Sequence, residues 1–533
     1  KPIRGNIYDS SGRVLAFNRP VFALIADVEN QRKIKEITEK IGYISALLEL
    51  DKQRLLKRFK RGIRYGRKRV IIKENLNISQ VARIKAFLGS NTDVYVTVIP
   101  KRFYPLGKLF AHEVGYVGRI TQKQLRRLGE KGYKGNDWIG QAGIERVYES
   151  YLRGKVGKKE IEVDAKGNLI KVIKEIPPIR GDSLITSIDT NLQKTAYEAL
   201  GDYSGVVIAM DPNNGSIMAM VSKPSFDPNM FVWGFSAKEW KRLTTQLSHP
   251  FDNRAIQSVY PPGSTFKILM ALIVLHTKVI PPSKKIFCSG TFNIGKYVWK
   301  DWKLGGHGWI DLKNAIIHSC DVYFYNAGYK IGVKTIDKYA KLCGFGSKTG
   351  IDLPGEHKGI LPTPSWKKKV FHQIWFPGDT VNLSIGQGFL LVTPIQMAVF
   401  ISAVANDGYL LQPHIVKYIK EPNKSVLRIK RKVIRKLPFT RQEIEFVKRA
   451  MQGVVEKGTG QRCKIEGVNV AAKTGTAQNP HGKDHAWFVA FAPVKNPKIV
   501  VVTLVEHGGH GGEIAATISK KIIEEDMKRW KEK

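Results

Sequence analysis

The chain has 533 residues, with 87 Lys and Arg against 46 Asp and Glu, a formal charge of +41 and 43% hydrophobic residues. That length exceeds one ordinary core and calls for two or more domains, while the apolar content excludes a disordered chain. The basic excess comes without a paired-Cys/His finger or an aromatic RNA-binding motif, which argues against nucleic acid and for a surface working beside anionic lipid and anionic cell-wall polymer.

Residues 4–16 alternate apolar positions around Gly12 and predict a strand hairpin. Apolar spacing over 34–50 and 78–88, followed by alternation over 93–99, predicts a helical head at about 30–100 inserted in a first domain. The charge run from Arg54 to Arg69 reads as a solvated helix face. Residues 102–119 and 140–151 return to the body of that domain, and strands are expected at 159–164 and 169–176. The breaker cluster Pro177-Pro178-Ile-Arg-Gly181 sets the expected boundary, giving a first domain over 1–177 and a second over 178–533. The second begins with a strand at 182–188, a helix at 192–200 and strands at 205–210 and 216–221, and it closes with strands at 486–492 and 498–505. This pattern predicts a multi-domain α/β protein whose second domain is an α/β sandwich. No apolar run reaches the roughly 18 residues that span a bilayer. No signal peptide opens the chain, and its abrupt start at Lys1-Pro-Ile-Arg leads us to expect a removed N-terminal membrane anchor.

Chemistry concentrates in three stretches. In Ser264-Thr-Phe-Lys267 a helix starting at Gly263 or Ser264 stacks hydroxyl and amine on one face, so that Lys267 can take the proton of Ser264. Alone, this spacing is equally a helix N-cap followed by a solvated lysine. Ser319-Cys320-Asp321 and Lys473-Thr474-Gly475-Thr476 follow in the order of the Ser-x-x-Lys, Ser-Asp-Asn and Lys-Thr-Gly trio. The four cysteines, Cys288, Cys320, Cys343 and Cys463, lack CxxC spacing, so neither a redox motif nor a disulfide framework is expected. By type, Cys288, Asp301, His307 and Cys320 are acceptable zinc ligands, but residue type alone favours two buried thiols, a surface carboxylate and a hydrogen-bonded histidine.

Arg4-Gly-Asn-Ile-Tyr-Asp9, Tyr260-Pro-Pro-Gly-Ser-Thr-Phe-Lys267, Gly386-Gln-Gly388 with Thr393-Pro-Ile-Gln-Met397, and Lys473-Thr-Gly-Thr-Ala-Gln478 together resemble the class B penicillin-binding proteins. Asp301-Trp-Lys-Leu-Gly-Gly-His307-Gly and Ser319-Cys-Asp-Val-Tyr-Phe-Tyr325 resemble the penicillin-binding protein 2 subgroup, the elongation transpeptidases. The resemblance implies an elongated α+β pedestal followed by a penicilloyl-serine transferase domain of β-lactamase-like fold with a helical subdomain. It implies a peptidoglycan D,D-transpeptidase that is acylated by β-lactams, anchored in the cytoplasmic membrane with its catalytic domain in the periplasm. A SEDS-family glycosyltransferase is the implied partner.

The resemblance also implies roles. Ser264 attacks the D-Ala-D-Ala carbonyl and Lys267 takes its proton; Ser319 and Lys473 relay a proton to the leaving nitrogen. Asp321, Thr474, Gly475 and Thr476 line the substrate, and the N–H groups of Ser264 and Thr476 form an oxyanion hole. Zinc held by Cys288, Asp301, His307 and Cys320 is implied as structural, with no organic cofactor. Asp321 departs from the general pattern, which has Asn there; as residue type alone it is also a helix cap. A D,D-carboxypeptidase or β-lactamase, and a penicillin-sensing scaffold, are the alternatives. The large first domain weighs against a lone β-lactamase and the intact trio against a pure scaffold.

Overall fold

The computed structural model describes every residue except 1, 29–31, 65–68, 90–92, 136, 164–168, 423–424, 480–481 and 532–533. The chain forms two compact units, one of Ala16–Phe103 and one of Arg4–Leu15 with the chain from Tyr104 onward.

In the smaller unit, residues 17–26 of the long strand Val14–Asp27 pair antiparallel with Val94–Phe103, and residues 22–27 with Arg69–Leu76. Helices Arg32–Leu47, Lys52–Arg64 and Ile78–Leu88 cover this sheet, and Ile37, Ile41, Ile44, Phe59 and Ile84 are fully excluded from solvent in its core. Apolar positions every three or four residues drive this burial. The expected strand at 93–99 is present. The strand Arg69–Leu76, whose Val70 and Ile72 point inward between charged neighbours, was not anticipated. Within the basic run, Leu55, Phe59 and Gly62 are buried while Arg54, Lys57, Lys60, Arg61 and Arg64 are exposed, and 65–68 lie outside the described residues.

The larger unit is built on a five-stranded antiparallel sheet in the order Ile217–Lys223, Gly205–Met210, Ile499–Val505, His485–Ala492, Ala471–Ala477. Helices Thr190–Ala199 and Ile514–Lys531 pack on it with Leu192, Ala196, Ile518 and Ile522 buried, and Pro394–Ala405 also packs against its central strands. Ile499–Val505 is buried at every position, which explains a sequence apolar throughout except at Thr503, whose hydroxyl lies 2.8 Å from Ser519 Oγ. The expected strand pair at 159–164 and 169–176 forms an antiparallel hairpin, Lys158–Val163 with Leu169–Ile176. The predicted turn at Gly12 is present with φ +90°, and the Asp9 carboxylate accepts from the N–H groups of Ser11 and Arg13. These elements make the α/β class plain. Because Ala471–Ala477 ends the sheet, one of its edges is free for the elements that build the site.

Candidate active site

Ser264 sits in a 3-10 turn, Gly263–Phe266, and the α-helix begins only at Lys267. The sequence leads to an α-helix from Gly263 or Ser264. The tighter turn still stacks the two side chains, because residues i and i+3 eclipse in a 3-10 helix. The turn is pressed against the sheet edge: Gly263, at φ +53°, has no room for a Cβ, which would stand 2.6 Å from the Thr476 carbonyl oxygen. Gly386 closes on it from the other side, and its carbonyl accepts from the Gly263 N–H at 2.9 Å. Glycine is required where three backbones approach this closely. Tyr260, just before the turn, donates to Glu506 Oε1 at 2.6 Å, and the Arg254 Nε donates to the same oxygen at 3.0 Å.

The structure brings Lys267, Ser319, Asp321 and Lys473 into one buried network. Lys267, wholly buried, donates from Nζ to Asp321 Oδ1 at 2.7 Å, to the Ser319 carbonyl at 2.8 Å and to Ser319 Oγ at 3.3 Å. Lys473 Nζ lies 2.8 Å from Ser319 Oγ and donates to the Thr474 carbonyl at 3.1 Å. Burial pushes the Lys473 amine well below the ordinary lysine range, repulsion from Lys267 adds to this, and Asp321 opposes it. The site therefore holds one lysine paired with a carboxylate and a second biased toward the neutral amine.

Ser319 adopts a left-handed backbone, φ +55°, immediately before the helix Asp321–Ile331. That helix is capped by Cys320, whose sulfur accepts from the Tyr323 N–H at 3.4 Å, so Asp321 is free to serve the cleft. Ser319 and Asp321 reach Lys267 while Cys320, between them, is fully buried beside Asp301.

On the sheet edge, the Thr474 hydroxyl is 2.7 Å from Thr459 Oγ1, Gly475 is buried, and Gln387 donates to the Thr476 carbonyl at 3.2 Å. Thr459 was missed from sequence because nothing in the chain near it marks a site. The same holds for Asn382, whose Oδ1 accepts from the Trp299 indole at 3.1 Å.

Cys288, Asp301, His307 and Cys320 also converge, with ligand atoms within 4.8 Å of one another. Cys288 Sγ lies 3.5 Å from Asp301 Oδ2 and 3.6 Å from His307 Nδ1, and Cys320 Sγ is 3.4 Å from Asp301 Oδ2. Donors around a tetrahedral zinc stand roughly 3.3–3.8 Å apart, so the set fits that ion. Burial holds His307 below the ordinary histidine range, which keeps a lone pair available. Burial, Asp301 and Cys288 together push the Cys320 thiol up. Asp301 is also held by the Asp321 and Val322 N–H groups at 2.8 and 3.0 Å, tying this cluster to the Ser319 loop.

The penicillin binding protein transpeptidase domain model matches residues 205–524, and the penicillin-binding protein dimerisation domain model matches residues 1–186. The chain is similar to the peptidoglycan D,D-transpeptidase MrdA of Acinetobacter baumannii, at 37% identity over 98% of this chain and 80% of the relative. It is similar to penicillin-binding protein 2 of Helicobacter pylori, solved in complex with MreC, at 31% identity and a TM-score of 0.89, covering 99% of this chain and 97% of the other. A chain from a structure described as a peptidoglycan synthase complex coordinating polymerization and crosslinking matches at 28% identity and a TM-score of 0.77, covering 98% and 90%.

Proposed function

This chain belongs to the penicillin-binding protein transpeptidase family, and on that footing we propose that it is a peptidoglycan D,D-transpeptidase that cross-links stem peptides through an acyl-serine intermediate. The observation that carries the chemistry is the hydrogen-bonded chain Lys267, Ser319, Lys473 behind the Ser264 turn.

A donor stem peptide lies along the edge of Ala471–Ala477 on which no further described strand pairs, and which can receive an extended segment. Thr474 and Thr476 hold its terminal carboxylate. Ser264 attacks the carbonyl of the penultimate D-alanine while the N–H groups of Ser264 and Thr476 receive the oxyanion. The Ser264 proton passes to Lys267 as Lys267 passes one through Ser319 to the Lys473 amine. Lys473 is fitted to be the final acceptor because burial disfavours its charge. The proton returns through Ser319 to the departing D-alanine nitrogen. An amine of a neighbouring stem peptide then attacks the acyl-enzyme, forming the cross-linking amide as the Ser264 ester breaks and the proton lost by the amine passes through the lysines to the Ser264 oxygen. Here Lys473 has a larger part than the sequence assigned it, and Lys267 is a conduit as well as a base.

Cys288, Asp301, His307 and Cys320 would hold zinc, which supplies a structural cross-link behind the Ser319 loop and no chemistry on the substrate. Membership of this family supports a location at the cytoplasmic membrane, with the catalytic domain in the periplasm. Among the described residues no helix is long and apolar enough to cross a membrane. A SEDS-family glycosyltransferase supplies the glycan strands, and the similarity to a chain of a polymerising and cross-linking complex supports this partner. The test is product analysis with lipid-linked glycan strands and the glycosyltransferase supplied: cross-linked dimers are expected, and free D-alanine without dimers would make the protein a carboxypeptidase.

A further inference from the structure

Trp302 has no part in the trio of motifs, yet both of its N–H groups end on the groups that hold Lys267. Its backbone N–H donates to Asp321 Oδ2 at 3.1 Å, while Lys267 takes Oδ1. Its indole N–H donates to the Ser319 carbonyl at 3.1 Å, the same oxygen that receives Lys267 Nζ, and lies 3.2 Å from the His318 carbonyl. The ring itself is 57% exposed, so this tryptophan is not there to fill a core. Its donors point into the loop instead.

We propose that Trp302 is a positioning residue for acyl transfer, holding the Ser319 peptide and the Asp321 carboxylate in the one arrangement that aligns Lys267 with Ser319 Oγ. Ser319 is in the left-handed region, which a residue with a Cβ occupies only when its surroundings impose it. Backbone bonds hold one side of it, the Ser319 and Cys320 N–H groups donating to the Ile316 and Ala315 carbonyls at 3.3 and 3.0 Å, and two consecutive residues hold the other. Asp301 accepts the Asp321 and Val322 N–H groups, and Trp302 supplies donors to the Ser319 carbonyl and the Asp321 carboxylate. Without the indole N–H, the Ser319 carbonyl in this network keeps only Lys267 as a partner, and the peptide, still tethered by its Cys320 N–H to the Ala315 carbonyl at 3.0 Å, tilts about that bond. Ser319 Oγ, set 2.8 Å from Lys473 and 3.3 Å from Lys267, then leaves the proton path. The loss falls on the rate of bond formation and leaves the affinity for the acylating ligand in place, because the trio's substrate-holding groups on Ala471–Ala477 are untouched.

The inference rests on Ser264 acylation, and the test separates the two. Stopped-flow acylation by a fluorescent penicillin gives a dissociation constant and a first-order acylation rate for the wild type, for Trp302→Phe, and for protein carrying 3-benzothienylalanine at 302, a shape-matched side chain without the N–H. The acylation rate should fall about tenfold in both variants, the dissociation constant should stay within about twofold, and 7-azatryptophan at 302, which keeps the donor, should restore the rate. The benzothienyl protein should keep the wild-type melting temperature and metal content, so it decides the matter if Trp302→Phe fails to fold. A wild-type acylation rate in the benzothienyl protein, or a loss carried only by the dissociation constant, overturns the positioning role. Failure of the wild type to acylate overturns the transpeptidase reading instead.

Discussion

The Lys267 ammonium and the Asp321 carboxylate form a 2.7 Å ion pair in which the lysine is fully buried and the aspartate side chain is 10% exposed. Asp321 is thus the counter-ion of the site's first lysine, where a neutral amide would only accept a hydrogen bond. Removing one partner of a buried pair costs about 3–5 kcal/mol because it strands the other charge. Asp321→Ala should lose stability of that order in urea unfolding and lose acylation with it. Asp321→Asn, which keeps an acceptor oxygen, should be the milder variant. Equal stability of Asp321→Ala and wild type would show that the pair carries no such weight.

Lys473 sets a pH dependence. In the folded protein burial, then Lys267, holds its amine well below the ordinary value of 10.5, which it regains on unfolding. Between those two values the unfolded chain binds the extra proton, so stability rises with pH across that window. Acylation should fall as pH drops through the depressed value, because a protonated Lys473 accepts nothing. Lys473→Arg is charged at every pH and should lose roughly 100-fold or more in acylation without a recoverable limb. Near-wild-type acylation by that variant would remove Lys473 from the proton path.

Glu113 gives a stability effect away from the site. The residue is 2% exposed, its Oε1 has no hydrogen-bond partner among the described residues, and burial raises its carboxyl well above the ordinary glutamate range. The folded protein therefore keeps a proton that the unfolded chain has lost, and the stability this gives is lost as pH rises from 4.5 through the folded value. Glu113→Met should flatten that slope and melt higher than wild type at neutral pH. A variant with the wild-type pH slope would contradict the buried neutral carboxyl.

Elemental analysis of protein purified without chelator should find about one zinc per chain. Chelation and Cys320→Ser should each lower the melting temperature and slow acylation together, since Asp301 joins the cysteine cluster to the Ser319 loop. Metal-free protein with full activity and an unchanged melt would reject the site.

Much of this was legible in the chain because short spacings encode local geometry. Ser264 and Lys267 stand one turn apart whether that turn is 3-10 or α, and the continuous apolar run of His485–Ala492, buried at every position from Ala486 on, announces a core strand. The cysteine, aspartate and histidine cluster could be named but not assembled, because its members meet only through the packing of three separate elements. Trp302, Thr459 and Asn382 were beyond reach for the same reason: each acts through a partner brought in by tertiary structure, Ser319, Thr474 and Trp299 respectively. Arg69–Leu76 was lost among helical segments because its charged flanks blur the alternation of Val70 and Ile72.

The most direct test is intact-mass and peptide-mapping analysis after incubation with labelled penicillin. Wild-type protein should carry a single adduct on Ser264, and Ser264→Ala, with an unchanged melting temperature, should carry none. A persistent adduct on Ser264→Ala, or an adduct mapped to another residue of the wild type, would contradict Ser264 as the acylated nucleophile.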